Sequence, residues 1–204
     1  MAIINQATKE LQVKIVFYGP AMCGKTTNLE HIHGNVQTLQ EHKGKLVSLA
    51  TSSDRTLFFD FLPIQAMAIK GFRTKFQLYT VPGQVIYNTT RQLVLRGVDG
   101  IVFVADSQYD KMQENVESFA NLEENLRSLK QNLAEIPLVL QYNKRDLPSA
   151  APLEYMEFLL NNRDVQVPSF PACANKGEGV FETLNMITRM LLHRFINETS
   201  RKAA

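Results

Sequence analysis

One short segment has the residue types and spacing that bind a phosphate chain. Residues 19–26 read Gly-Pro-Ala-Met-Cys-Gly-Lys-Thr and fill every required position of the pattern G-x-x-x-x-G-K-[ST]. The glycines allow a tight turn in which successive backbone N–H groups converge on phosphate oxygens. Lys25 would reach the β- and γ-phosphates, and the Thr26 hydroxyl would ligate Mg²⁺. Because a strand-like run precedes the segment and a helical pattern follows it, a phosphate-binding loop is predicted.

A second motif could recognise a base. Residues 143–146 read Asn-Lys-Arg-Asp and directly follow an apolar run, and open α/β sheets bind ligands at such strand ends. The Asp146 carboxylate can accept two parallel hydrogen bonds from guanine, whereas adenine presents no such donor pair. Asn143 can contact the O6/N7 edge, and the Lys144 stem can lie on the base plane. Alone this motif is most often a polar turn, but after a complete phosphate loop it predicts GTP or GDP, with Mg²⁺.

The elements that position these motifs alternate along the chain. Residues 11–18, 100–105 and 138–142 are apolar runs of strand length, and such runs suit a parallel sheet that is covered on both faces. Apolar residues at spacings of three and four predict two core-facing helices: Met112, Val116, Phe119, Leu122, Leu126, Leu129 and Leu133, then Val180, Leu184, Ile187 and Leu191. The alternation predicts a doubly wound α/β fold with a mostly parallel central sheet and helices on both faces.

One segment departs from the alternation. Residues 56–63 and 72–80 are strand-like runs with only a short connection containing Gly71 between them, so they predict an antiparallel hairpin at one sheet edge. We assign residues 1–198 to a single domain and residues 199–204 to a frayed C-terminal tail.

Composition excludes several classes of protein. Hydrophobic residues make up 45% and charged residues 21% of the 204 residues, as in soluble globular proteins. A net charge of +2 favours neither a nucleic-acid nor a membrane partner. Two cysteines and the lack of a lipidation motif or long apolar run predict a cytoplasmic protein without a direct membrane anchor. We expect a monomer that partners could recruit to a cell pole or membrane complex.

The motifs together resemble those of Ras-like small GTPases, and more closely those of the bacterial MglA-type gliding and polarity GTPases. The closer resemblance is carried, in order along nearly the whole chain, by Tyr18-Gly-Pro, Arg55-Thr-Leu-Phe-Phe-Asp-Phe-Leu-Pro, Tyr79-Thr-Val-Pro-Gly-Gln, Leu95-Arg-Gly-Val-Asp-Gly and Asn143-Lys-Arg-Asp-Leu-Pro. It implies a single P-loop small-GTPase domain that acts as a GTP/GDP-dependent switch. It also implies a dimeric roadblock-type GTPase-activating partner and polarity or motility effectors that contact residues from about 48 to 88.

The resemblance implies roles for individual residues. Thr56 resembles the threonine that closes on Mg²⁺ and the γ-phosphate, and Gly83 the glycine that donates its N–H to that phosphate. Gln84 resembles the glutamine that orients the attacking water, and Arg55 an arginine that swings in as a finger. Lys25 would complete the catalytic set. Arg55 could instead be a solvated charge, and Gln84 a turn residue. The implied nucleotide contacts are Gly19, Ala21, Met22, Cys23, Gly24, Lys25, Thr26, Thr27, Thr56, Gly83, Asn143, Lys144, Asp146, Cys173 and Ala174.

Three positions depart from the Ras-like pattern. Thr80 stands where an acidic residue would support Mg²⁺, and Asp60 could compensate as a metal-site residue or be a surface carboxylate. Ala21 replaces a glycine, and its methyl group would crowd the transition state, so slow hydrolysis with retained binding is predicted. Cys173-Ala174-Asn175 replaces Ser-Ala-Lys; the Ala174 N–H can still bind guanine O6, and Cys173 is most simply a small buried filler.

Two other functions stay open. A constitutive GTP-binding scaffold that scarcely hydrolyses would fit Ala21 and Thr80. A P-loop ATPase or small-molecule kinase would share the phosphate loop, although nothing in the chain resembles a substrate lid.

Overall fold

A computed structural model describes residues 3–5, 8–36, 47–50, 56–69, 72–162 and 165–202. Its strands are β1 (Ile3–Asn5), β2 (Glu10–Tyr18), β3 (Val47–Ala50), β4 (Thr56–Ile69), β5 (Phe72–Thr80), β6 (Gly100–Asp106), β7 (Leu138–Asn143) and β8 (Ser169–Pro171). Its α-helices are α1 (Lys25–Val36), α2 (Asn88–Leu95), α3 (Met112–Ser128), α4 (Leu153–Leu160) and α5 (Val180–Lys202). Single 3₁₀ turns occupy Val85–Tyr87, Tyr109–Lys111 and Leu133–Glu135.

The strands form one sheet in the order β3-β4-β5-β2-β6-β7-β8, and β1 pairs with β2 outside this path. The five strands β5, β2, β6, β7 and β8 are mutually parallel, which confirms the α/β fold with a mostly parallel central sheet. Strand β2 lies between β5 and β6 in the middle of the sheet. The loop that follows β2 lies at the edge where the parallel strands have their carboxyl ends. That edge is where open α/β sheets bind ligands.

The sheet edge formed by β3 and β4 differs from the parallel centre. Strand β4 pairs antiparallel with β5, and β3 pairs antiparallel with β4. Strand β4 is longer than the run 56–63 that the sequence indicates, because it continues past Pro63 to Ile69. The pairing of β3 with β4 ends at Phe61, so Pro63 occupies a stretch with no outer partner strand in the described part of the chain. Proline is tolerated at such an edge, where no ladder hydrogen bond is lost.

Two apolar layers cover the sheet. Val13, Ile15 and Phe17 face the layer formed with α1 and α5, and Val16 faces the opposite layer. The predicted stripe of α5 is confirmed, because its residues are buried: Val180, Leu184, Ile187 and Leu191. Helix α5 extends to Lys202, past the point where a tail is predicted.

The predicted stripe of α3 is wrong in two places. Val116 is 42% exposed, and the helix ends at Ser128, before Leu133. Helix α3 instead buries polar residues where the apolar pattern has gaps, among them Asn115, Asn121 and Asn125, and the chain leaves the helical conformation at Lys130, which has φ +58°. Within the described residues, no helix is long and apolar enough to cross a membrane.

Candidate nucleotide site

The predicted phosphate loop joins the carboxyl end of β2 to the first residue of α1. Gly19 has φ +146°, and a Cβ there would lie 2.1 Å from the Val104 carbonyl oxygen. Gly24 has φ +99°, and a Cβ would lie 2.2 Å from Asn143 Nδ2. Both glycines of the motif are therefore required by backbone conformation and by close neighbours.

The Lys25 side chain is buried beneath the loop. Its Nζ donates to the carbonyl oxygens of Gly19 at 3.0 Å and Pro20 at 2.5 Å, and it lies 3.6 Å from Cys23 Sγ. Burial is the main cause that raises the pKa of the Cys23 thiol, which therefore stays neutral. The ammonium group and the N-terminus of α1 place positive charge at the same loop, as an anionic ligand requires.

Two adjoining cavities lie over the loop. A cavity of about 230 Å³ is lined by Ala21, Met22, Gly24, Lys25, Thr26, Thr27, Val81, Gly83, Gln84 and Tyr87. A second cavity of about 170 Å³ is lined by Met22, Gly24, Thr27, Asn143, Lys144, Asp146, Leu147, Ala174 and Asn175. Because Met22, Gly24 and Thr27 line both, the cavities form one groove that runs from Gln84 to Asp146. We call its two ends the switch side and the base side.

On the base side, Asn143 ties two loops together. Its Nδ2 donates to the Cys23 carbonyl oxygen at 2.8 Å, and its Oδ1 accepts the Ala174 N–H at 2.9 Å. The N–H that the sequence analysis assigned to guanine O6 is therefore engaged with Asn143 in this structure. Asn143 is 2% exposed, so its first role is to align the phosphate loop with the loop after β8.

Asp146 and Lys144 are charged residues of the base side. A hydrogen bond from the Cys173 thiol is the main cause that lowers the pKa of Asp146, and Lys176 Nζ lies 3.9 Å from its Oδ2. Asp146 is therefore an ionised acceptor at neutral pH. Lys144 has φ +65°, and its Nζ forms an ion pair of 2.6 Å with buried Asp106 at the end of β6. This pair holds the Lys144 stem along the base cavity.

Cys173 is buried, and its Sγ lies 2.8 Å from Asn175 Oδ1, so its single thiol proton is shared between Asn175 and the Asp146 carboxylate. Burial, followed by the neighbouring Asp146 carboxylate, raises the pKa of the Cys173 thiol. The residue therefore fills space as predicted and, in addition, acts as a neutral donor at the edge of the base cavity.

On the switch side, Gly83 lies directly against the phosphate loop. A Cβ on Gly83 would lie 2.2 Å from Ala21 Cα and 2.6 Å from Ala21 N, so only glycine fits. Gln84 follows it in the lining of the phosphate cavity. Thr80, which stands where an acidic residue was expected, is fully buried at the end of β5.

Arg91 is a residue of this side that sequence reasoning missed. It is 0% exposed; its Nε donates to the Pro82 carbonyl oxygen at 2.8 Å, and its Nη2 donates to that of Gly83. Its Nη1 donates to Asn121 Oδ1 at 2.6 Å and to the Tyr18 hydroxyl at 3.4 Å. In the described part of the chain it forms no ion pair with a carboxylate. A tyrosine in the apolar run of β2 was the one signal for this buried polar cluster.

Some predicted residues are not placed by the structure. Arg55 lies outside the described residues. Thr56 and Asp60 belong to β4 by their backbone, and their side chains also lie outside the described part. The predicted finger and metal-site carboxylate therefore stay predictions.

Thr26 is the residue of the described part that fits a magnesium–nucleotide complex. Its hydroxyl-bearing side chain lines the phosphate cavity beside Lys25. No group of three or more His, Cys, Asp or Glu side chains in this part could form a metal cage. Mg²⁺ binds few protein oxygens and completes its shell with phosphate and water, so the cavity suits a metal that arrives with the nucleotide.

A P-loop after the central strand β2 of a doubly wound sheet, with an Asn-Lys-x-Asp loop at the end of β7, two strands away, defines the class of small GTPases. The chain belongs to the ADP-ribosylation factor family, which it matches over residues 1–191. It is similar to the mutual gliding-motility protein MglA of Myxococcus xanthus (strain DK1622), with 53% identity over 192 residues, 94% of this chain and 96% of that protein. It is also similar to the Ras-related protein Rab-13 of Rattus norvegicus, with 27% identity over 138 residues, 67% of this chain and 64% of that protein.

Proposed function

We propose that this GTPase is a GTP/GDP-dependent switch that regulates gliding motility or cell polarity through effector proteins. The observation that carries the nucleotide assignment is the continuous groove in which Met22, Gly24 and Thr27 line both the phosphate and the base cavity. The biological role is supported by 53% identity with a protein named for gliding motility.

Binding would begin at the two ends of the groove. Ionised Asp146 would accept the two guanine N–H groups, with the Lys144 stem along the base. The phosphates would be held by the ammonium group of Lys25 and by the backbone N–H groups of Cys23 and Gly24. Remaining contacts would come from Gly19, Ala21, Met22, Thr27, Cys173 and Ala174.

Hydrolysis would depend on positioning and on stabilisation of the charge that develops on the phosphates. Gln84 would orient the attacking water, the Gly83 N–H would contact the γ-phosphate, and Arg55 would approach as a finger. Thr26 and Thr56 would hold Mg²⁺, with Asp60 as the candidate carboxylate. Magnesium, when bound, neutralises charge on the β- and γ-phosphates.

We propose that intrinsic hydrolysis is slow. Ala21 lines the phosphate cavity together with Gly83 and Gln84, and Gly83 lies directly against the Ala21 backbone, so the Ala21 methyl group would compete for the space that the γ-phosphate and Gln84 need. Wild type and Ala21→Gly are compared in single-turnover GTP cleavage, and a faster variant is expected. An unchanged rate would refute the crowding explanation.

Partners would recognise the antiparallel sheet edge and the segment after β5, residues from about 48 to 88. These partners would be a dimeric roadblock-type activating protein and polarity or motility effectors, which could recruit a cytoplasmic monomer to a pole or membrane complex. The small-GTPase domain would span residues 1–198 and include α5, which continues to Lys202.

Pull-down with protein loaded with a GTP analogue or with GDP, followed by mass identification, tests the switch. Proteins captured only by the GTP-analogue form are expected. A constitutive scaffold is the second candidate, favoured by the Gly83–Ala21 contact; it would capture the same proteins in both forms and show no activator-dependent turnover. Displacement of bound GTP by excess ATP would instead refute guanine specificity.

A further inference from the structure

Behind the nucleotide groove, three polar side chains lie in an otherwise apolar layer. Asn28 is in the first turn of α1, Gln141 is in β7, and Thr183 is in the first turn of α5; each is 0% exposed. A strand covered on both faces favours apolar residues, and a buried polar group is destabilising unless it is hydrogen-bonded. The contacts of these side chains therefore require an explanation beyond filling space.

The three side chains form a continuous chain of hydrogen bonds. Asn28 Nδ2 donates to Gln141 Oε1 at 2.8 Å, and Gln141 Nε2 donates to Asn28 Oδ1 at 3.0 Å. Asn28 Nδ2 also donates to the Gly24 carbonyl oxygen at 2.9 Å. Gln141 Nε2 also donates to Thr183 Oγ1 at 3.1 Å, and Thr183 Oγ1 donates to the Gly179 carbonyl oxygen at 2.6 Å. Every polar side-chain atom of Asn28, Gln141 and Thr183 thus has a hydrogen-bond partner.

This chain connects the same loops as Asn143 does, but at a greater depth. Its first end, Gly24, belongs to the phosphate loop, and its last end, Gly179, belongs to the loop that carries Ala174. Asn143 connects Cys23 of the phosphate loop with Ala174 at the surface of the groove. Two connections at different depths fix the orientation of the loops, whereas a single connection would leave a hinge.

We propose that Asn28 and Gln141 are positioning residues that set the spacing between the phosphate and guanine ends of the groove and thereby control the release of nucleoside diphosphates. The inference depends on the nucleotide site proposed above. Neither residue lines either cavity, so neither contacts the ligand directly. A diphosphate must engage both ends at once and gains from loops that are already aligned. A monophosphate depends less on the phosphate loop and less on the spacing.

Near-isosteric substitutions separate positioning from folding. Asn28→Leu or Gln141→Met alone leaves a buried amide without its partner, which destabilises the fold. The double variant removes both amides together. The Gly24 carbonyl oxygen still accepts a hydrogen bond from the Asn28 backbone N–H at 3.0 Å. Thr183 Oγ1 still donates to the Gly179 carbonyl oxygen. The double variant therefore leaves no newly unpaired buried group.

The experiment measures dissociation of fluorescent GDP by stopped flow, affinity for GMP by titration, and the melting temperature of each ligand-free variant. In the double variant we expect GDP release about tenfold faster, with GMP affinity changed less than about threefold. We expect its melting temperature to recover to within a few degrees of wild type, above both single variants. The proposal would be overturned if the double variant folds, releases GDP at the wild-type rate and keeps the wild-type ratio of GDP affinity to GMP affinity.

A milder variant covers the case in which the double variant does not fold. Thr183→Val keeps the Asn28–Gln141 pair and the side-chain shape but removes the acceptor of Gln141 and the donor to Gly179. GDP release about two- to threefold faster is expected, and an unchanged rate would overturn the proposal. Failure of the wild type to retain GDP would instead refute the nucleotide site itself.

Discussion

The base side and the switch side of the groove are held in place by different kinds of hydrogen-bonding groups. On the base side the connecting groups are neutral amides. Asn143 lines the base cavity, and the Asn28–Gln141 pair lies behind it. On the switch side the buried cation Arg91 holds the segment after β5, because it donates to the carbonyl oxygens of Pro82 and Gly83 and to Asn121 Oδ1 of α3.

This difference in the connecting groups indicates which side of the groove can change its conformation with the bound ligand. A satisfied pair of neutral amides has no net charge to desolvate, so its energy depends little on charges nearby. A buried guanidinium has lost its hydration and is compensated here by backbone and amide oxygens, so its energy depends strongly on the local field. The base side therefore suits permanent retention of the base. The switch side suits an arrangement that responds to a phosphate anion.

The largest expected effect comes from the base side. Asp146→Asn exchanges an acceptor for a donor that faces the guanine N–H groups, so GDP affinity should fall about a thousandfold. Xanthine carries a carbonyl group where guanine carries its amine, so affinity for xanthosine diphosphate should rise. Titration with GDP and with xanthosine diphosphate measures this change in base preference.

Asp110→Asn is the matched control, because it removes the same charge from a side chain that is 70% exposed on a turn beyond β6. Its GDP affinity should stay at the wild-type value. Equal losses in the two variants would mean that Asp146 contributes only general electrostatics, and the base side would lose its role in specificity.

The next effect belongs to the switch side. Gly83→Ala places a Cβ against the Ala21 backbone, so the segment that carries Gln84 must move. A displacement of that size should reduce single-turnover GTP hydrolysis about a hundredfold. GDP affinity should change less than about threefold, since the base side is held separately.

Gly34→Ala provides the control with the same added methyl group. Nothing lies within 4 Å of that Cβ in α1, and alanine favours a helix over glycine, so stability should rise slightly with hydrolysis unchanged. If Gly83→Ala loses GDP as strongly as it loses hydrolysis, the two sides are not independent.

The two sides also differ in how far the sequence predicts them. The phosphate loop and the 143–146 motif are readable because consecutive residues carry their chemistry, and the parallel sheet follows from apolar runs. The supporting contacts are not readable, because they join distant residues that look ordinary locally. Asn28 and Gln141 are 113 positions apart, and Arg91 and Asn121 are 30 apart. Asn121 and Asn125 fall in gaps of the α3 stripe, where the pattern alone predicts solvent exposure.

A smaller effect on hydrolysis, with a clear effect on stability, is expected for Arg91→Met. The change removes the Arg91 donor from the carbonyl oxygens of Pro82 and Gly83 in a buried region, whereas Asn121 Oδ1 keeps the Tyr18 hydroxyl and Asn125 Nδ2 as donors. The free energy of unfolding should fall by about 2–4 kcal/mol, and hydrolysis should fall about tenfold. Urea unfolding and single-turnover cleavage measure the two quantities.

Arg96→Met serves as the comparison, since Arg96 follows α2 with an exposed side chain. Neither stability nor hydrolysis should change by more than a small amount there. If Arg91→Met alters stability but leaves hydrolysis at the wild-type rate, Arg91 supports only the core, and the proposed responsiveness of the switch side is wrong.

The smallest expected effect is that of pH on GDP affinity. The pKa of Asp146 lies below its ordinary value, so its contribution is complete above about pH 4 and is lost only as pH falls through the lowered pKa. The pKa values of the Cys23 and Cys173 thiols are raised, so both stay neutral at moderately alkaline pH. Affinity measured from about pH 5 to pH 8 should therefore vary less than about twofold. An inflection of the affinity within this range would show that a further titrating group contributes to nucleotide binding at the base side. That outcome would contradict the contrast between neutral connecting amides on the base side and the charged Arg91 on the switch side.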